Sequence, residues 1–191
     1  MSVTELSVVN ACLATLGEAP LGSLLEYHPV MNAAQRYLAD ALVSEQAKKY
    51  WFGYERATLT FNPDTGEVVL PDNIIDVFPL EEQYLVQRGQ RLYDAMNGTY
   101  DIRRQVLVTL VRQLPLADLP ILAQHAVKAK AVLEFQSDYD ADPQKTMTLA
   151  RAYTLAKADL NTEHIRQCKS NLLTRPSTAV VMARMRGGKN R

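Results

Sequence analysis

Apolar residues first recur at helical intervals: Leu6, Val9, Leu13 and Leu16 are spaced by three and four, which predicts an amphipathic helix. Ser2 and Glu5 stand at capping-box spacing and start that helix at Ser2, while Gly17 supplies a left-handed stop. A connector through Pro20, Gly22 and Pro29 leads to a second helix with Met31, Ala34, Leu38 and Ala41 on one stripe. That helix runs into Tyr50, Trp51 and Phe52 ahead of Gly53, rings that are expected to close the core.

From Ala57 the period falls to two. Thr58-Leu59-Thr60-Phe61, a turn at Asn62 to Gly66, and Val68-Val69-Leu70 read as a hairpin. Strand-like runs follow at Ile74 to Phe78, Tyr84 to Gln87, Gln90 to Tyr93 and Val106 to Arg112, with Asn97-Gly98 marking a further turn. Helical spacing resumes after Asp118 and Pro120, with Leu122, Ala126, Ala129 and Leu133 on one face. It appears again after Asp142-Pro143, with Leu149, Tyr153, Ala156 and Leu160. Two single-striped helices before the β segment and two after it can bury their stripes only against one another. The expected fold is therefore α+β: a bundle of about four helices from residues 1–53 and 113–173, a small antiparallel β region inserted at 54–112, and an extended basic C-terminal arm at 174–191.

Composition narrows the class. Hydrophobic residues make up 47% and charged residues 22% of 191, which excludes wholesale disorder, and no run approaches the roughly 18 apolar residues of a membrane span. No membrane partner is expected. The opening Met-Ser-Val-Thr-Glu lacks the basic and apolar regions of a signal peptide, so synthesis in a cytoplasm is expected. Cys12 and Cys168 are too few for a disulfide framework. Acids and bases balance at 21 each, but unevenly: Thr174 to Arg191 holds five bases and no acid, leaving residues 1–173 acidic.

Candidate chemistry is thin. His164 and Cys168 have the spacing of half a zinc site, and no second pair completes it. Cys12 reads as a small core residue. Glu134, Asp138, Asp140 and Asp142 cluster without an EF-hand pattern, and Asp142 is better placed as the N-cap of the last helix. Nucleotide, nucleophile-elbow and zinc-protease motifs do not occur. No catalytic residue, metal or cofactor is expected. The arm, with Arg175, Val180, Val181, Met182, Arg184, Met185, Arg186, Lys189 and Arg191, admits three readings: a solvated end, a nucleic-acid contact, or a segment that docks on a protein. Its interleaved apolar residues favour docking.

Several segments in order resemble the tail tubular protein A family of short-tailed bacteriophages, which are head-to-tail adaptors. They are Leu16-Gly17-Glu18-Ala19-Pro20, Tyr50 to Phe52, Val69-Leu70-Pro71-Asp72-Asn73, Arg91-Leu92-Tyr93-Asp94 and Leu114 to Pro120, then Lys128-Ala129-Lys130-Ala131 with Phe135-Gln136. The likeness covers about residues 3–170 and departs from the family at Lys49 to Gly53, where the family tends to carry Gly-Trp ahead of Phe-Asn. The resemblance implies a homo-oligomer, a dodecameric ring in the virion tail, made in the bacterial host's cytoplasm. It would sit between the portal protein and the tail nozzle protein and let double-stranded DNA pass without specific binding. The arm would then bind the portal, and Trp51, Phe52, Tyr84, Tyr93 and Tyr100 are candidates for subunit or nozzle contacts, each also compatible with ordinary core packing. Two rivals stay open: a nucleic-acid-binding module using the arm, and a hydrolase using Glu81 or Glu82 with Asp76.

Overall fold

The computed structural model describes residues 2–82 and 84–173; the arm expected at 174–191, with all nine of its named residues, lies outside the described residues. The fold is α+β. Helices α1 (Glu5–Thr15) and α2 (Met31–Gln46) precede strands β1 (Tyr54–Leu59), β2 (Ile74–Pro79), β3 (Leu85–Arg88), β4 (Arg91–Asp94) and β5 (Val106–Arg112). Helices α3 (Ile121–Tyr139) and α4 (Pro143–Leu173) follow.

The first helix begins later than its spacing predicts. Thr4, not Ser2, is the N-cap: its hydroxyl accepts from Ser7 N–H at 3.2 Å, and Thr4 N–H donates to Ser7 Oγ at 3.1 Å. The cause is Val3, which is buried and donates its N–H to Gln124 Oε1 of α3 at 2.8 Å, so this segment is held in place before the helix starts. Val3 and Val8 share one core cluster, a hydrophobic staple across the cap. At the other end Gly17, with φ 77°, closes a Schellman motif: its N–H reaches Ala14 O and Glu18 N–H reaches Leu13 O.

Helix α3 packs against α1, α2 and α4. It therefore buries more than one stripe: Ala123, Ala126, Val127, Ala131, Val132 and Phe135 are buried, whereas Leu122, Ala129 and Leu133 of the predicted face are only half-buried. The same widening affects α1, where Val8, Val9, Cys12 and Leu13 are fully enclosed and the predicted Leu6 and Leu16 are not. On α4 the predicted stripe of Leu149, Tyr153, Ala156 and Leu160 does face inward, because only one side of this helix meets the bundle. Asp142 caps α4 as expected, accepting from the N–H of Gln144 at 2.8 Å and of Lys145 at 3.1 Å, with Pro143 at the first helical position.

Strand pairing departs from the hairpin expected at 58–70. The Asn62 to Gly66 turn forms, with Gly66 N–H on Asn62 O at 2.8 Å, but β1 pairs antiparallel with β5, Tyr54 opposite Val111 and Leu59 opposite Val106. β5 has four of its seven residues buried, so it takes the centre of a three-stranded sheet with β1 on one side and β2 on the other. Residues 68–70 are left to bridge β4, through Val69 opposite Arg91 and Leu92 N–H on Val68 O. β3 and β4 form a separate two-stranded hairpin around Gly89, whose φ is 61°.

Two polar residues that periodicity alone does not reveal hold the bundle together. Gln46 brackets the chain returning from the sheet: its Nε2 donates to Leu114 O at 2.9 Å and its Oε1 accepts Leu114 N–H at 2.7 Å. Glu45, 2% exposed, accepts from Tyr153 OH at 2.6 Å and from Lys48, with Lys130 Nζ at 3.8 Å. Three helices thus meet on one carboxylate, whose Oε2 has no partner among the described residues. Burial, then the hydrogen bond to Glu45, holds the Tyr153 phenol above its usual pKa; burial works to lower Lys48, but its bonds to Glu45 and Tyr153 raise it. Replacing Glu45 by Ala removes a hydrogen-bonded charge and should cost about 2–3 kcal/mol, and Tyr153→Phe about 1–2 kcal/mol. Denaturant midpoints of the two variants, measured against the parent, check both figures.

Candidate assembly surfaces

Trp51 and Phe52 lie in the joint between helices and sheet. The Trp51 indole stacks on the His164 imidazole at 6.0 Å and meets the Phe52 ring edge-on at 5.1 Å; Phe52 in turn stacks on Tyr50 at 5.8 Å. Trp51 N–H points at His164 Nδ1 at 3.3 Å, and Tyr50 OH donates to Asn161 Oδ1 at 3.2 Å. These contacts fasten α4 to the start of β1 and leave both named rings half-buried. His164 is also within 3.7 Å of Cys168 Sγ, and among the described residues no group of three or more metal-ligating side chains gathers.

The three tyrosines separate into two environments. Tyr84 packs against the sheet core, and its hydroxyl meets Arg104, which also grips Glu82 at 2.6 Å. Tyr93 and Tyr100 meet edge to face at 4.9 Å on the β3–β4 side, the Arg88 guanidinium lying 3.6 Å over Tyr93 and that of Arg91 4.5 Å over Tyr100. Arg91 is additionally fixed by Glu67 at 2.7 Å. A planar donor fork held flat over an aromatic face suits a partner carboxylate or backbone carbonyl. Arg88 and Arg91 are absent from the candidate contacts of the sequence, although their places facing each other across the Gly89-Gln90 turn, with Tyr93 two residues on, put them beside that ring.

The acidic residues are occupied elsewhere. Glu134 faces Lys130 at 3.6 Å, Asp138 accepts from Tyr37 OH, and Asp140 accepts from Lys145 at 2.7 Å and Gln136 at 2.8 Å, bonds that hold its carboxyl below the usual range. Asp76 pairs with Lys49 and Glu82 with Arg104, so two members of the hydrolase rival are bound to different cations; Glu81 is exposed. Asp94 is buried under its own turn and accepts at 2.9 Å from the N–H of Met96, from the N–H of Asn97 and from the Asn97 amide.

Where α1 and α4 diverge over α3, an open groove of about 720 Å³ is left. It is lined by Ala11, Ala129, Val132, Leu149 and Ala156, with the exposed Ala14 and Ala152 on its walls, and its polar edge carries His125, Lys128 and Lys145, the last paired with Asp140. No helix of the described residues is long and apolar enough to cross a membrane.

Two chemical tests follow from these environments. Burial pushes the Cys12 thiol up to about 12 against the pull of Lys128, whereas Cys168 is half-exposed. Native protein should take one equivalent of iodoacetamide, mapped to Cys168 by peptide mass, and a second only after unfolding. Asp94 is held below the usual carboxylate range chiefly by the Asn97 N–H. A depressed folded pKa contributes stability that is present above the ordinary value near 4 and is lost as pH falls through the folded one. Asp94→Asn should therefore flatten the fall in urea midpoint below about pH 4.

The fold is thus a helical body with a small sheet inserted, half-buried aromatics at the joint and an arginine-capped tyrosine pair on the sheet side. Compared with known proteins, the chain finds no match among curated sequences. The model of the tail tubular protein family matches it over residues 6–170. This span takes in all four helices nearly end to end and every strand, and the chain belongs to the tail tubular protein family, structural proteins of bacteriophage tails.

Proposed function

We propose that this protein is a head-to-tail adaptor: copies close into a ring between the portal and the tail nozzle, through which the genome leaves. Membership of the tail tubular family over residues 6–170 is the observation that carries the reading. The architecture supports it physically. A closed ring needs unlike surfaces that meet head to tail, and a helical body with an inserted sheet offers them. The bundle builds the ring, the sheet faces the nozzle or a neighbouring subunit, and residues 174–191 reach the portal. Its action is mechanical, not catalytic.

DNA slides through because the wall does not grip it. Residues 1–173 carry 16 bases against 21 acids, and repeated acidic subunits weaken counterion-release binding to phosphate. Such a channel passes the duplex without reading it.

The mass of the purified chain, alone and mixed with portal, tests the assembly. A ring or a portal-bound ring is expected; a monomer under both conditions refutes the adaptor. Deletion from Arg175 onward should leave a folded subunit with a cooperative thermal transition and abolish joining to portal-containing heads. Undiminished joining by that deletion assigns portal contact to another surface.

A further inference from the structure

The α1–α2 connector carries two large apolar side chains that the subunit itself does not cover: Leu25 is 96% and Tyr27 90% exposed. Neither is needed for the core. Leu21 and Leu24 of the same connector already pack against the cluster around Val9, Leu13 and Phe135. Nor is the projecting segment loose. Asn10 brackets Leu21 through two bonds of 2.9 and 2.8 Å, Glu26 Oε1 accepts Gly22 N–H at 3.0 Å, and Leu25 N–H donates to Ser23 Oγ at 3.2 Å. A knob fixed in advance loses little conformational freedom when it binds.

On the same subunit lies a groove with the opposite properties. Its floor is built largely of alanines on α1, α3 and α4, so three helix backbones approach without large side chains between them, and about 720 Å³ stays open. That volume lies in the range that encloses several side chains. Charge is complementary as well. The connector from Leu16 to Val30 contains Glu18, which faces His28, and Glu26, and neither Lys nor Arg, whereas the groove edge contributes Lys128 and Lys145, the latter paired with Asp140, and no acidic residue lines the groove itself. Lys128 takes part in none of the ion pairs among the described residues.

We infer that the occupant of this groove is a second copy of the chain: Leu25 and Tyr27 of one subunit insert between α1 and α4 of the next, with Glu26 beside Lys128. Knob and groove are different patches, so the contact is heterologous and repeats from copy to copy around a ring. This inference rests on the ring proposed above and names the contact that closes it. The apolar pair supplies affinity, and the Glu26–Lys128 pair sets register.

The test uses the full-length chain and two lesions. Leu25→Asp combined with Tyr27→Asp disables the knob, and Ala152→Trp, on an exposed groove wall, fills the groove. Each variant should keep the parent's circular dichroism and weaken self-association at least about tenfold in sedimentation velocity. Mixed one to one, they should form dimers that grow no further, since the intact knob of one fits the intact groove of the other and no free pair remains. Lys128→Glu should weaken assembly, and Lys128→Arg, which keeps the cation, should leave it at the parent's level.

Parent-like assembly by the knob variant overturns the contact and leaves the ring standing. Loss of assembly in the groove variant alone overturns it too and assigns the groove to another segment, such as residues 174–191. A parent chain that stays monomeric at every concentration and with portal overturns both the contact and the ring.

Discussion

Helix α3 must be covered on three sides, and the rest of the structure follows from that requirement. It buries Ala123, Ala126, Val127, Ala131, Val132 and Phe135, too wide an apolar surface for a single neighbouring helix to hide. α1 and α2 supply two walls from the start of the chain and α4 supplies the third from its end, so the body forms only when segments on both sides of the sheet come together. Small residues along α3 let its neighbours approach closely. They also set the limit of that packing: α1 and α4 both rest on α3 and part from each other, which is why a groove opens over Ala129 and Val132.

Much of this plan was legible in the chain. Gly17 and Asp142-Pro143 mark helix ends because each satisfies backbone groups locally, and local geometry depends on few residues. Strand β5 was visible as the strand-like run Val106 to Arg112. Its partners were not, since β1 and β5 meet across some fifty residues of chain and the tempting local hairpin at 58–70 offered a shorter closure. The cap at Thr4 was hidden for a similar reason: it is set by Val3 reaching Gln124, a contact 121 positions away.

The expected contact residues divide along the same line. Aromatic composition pointed to Trp51, Phe52, Tyr84, Tyr93 and Tyr100, and the structure finds all five half-buried, with Trp51 and Phe52 turned into the joint and Tyr93 and Tyr100 under arginine caps. Glu45 gave no hint of its importance. On a helix wheel it sits in line with Leu38 and Ala41, where a carboxylate normally marks the end of an apolar stripe, and only the arrival of Lys48, Lys130 and Tyr153 makes it a hub. Polar residues at buried positions are invisible to hydrophobic patterning because their partners lie on other elements.

The pairing of β1 with β5 has a consequence for how the inserted region is anchored. The chain leaves the helices at Tyr54 and re-enters them after Arg112, and Tyr54 stands directly opposite Val111. Entry and exit are therefore neighbours on paired strands, and β2 joins them at the same end of the sheet through Ile74 opposite Arg112. The two ends of the inserted region are thus tied to each other as well as to the helices, and fraying at the joint has to break the pairing of all three strands together.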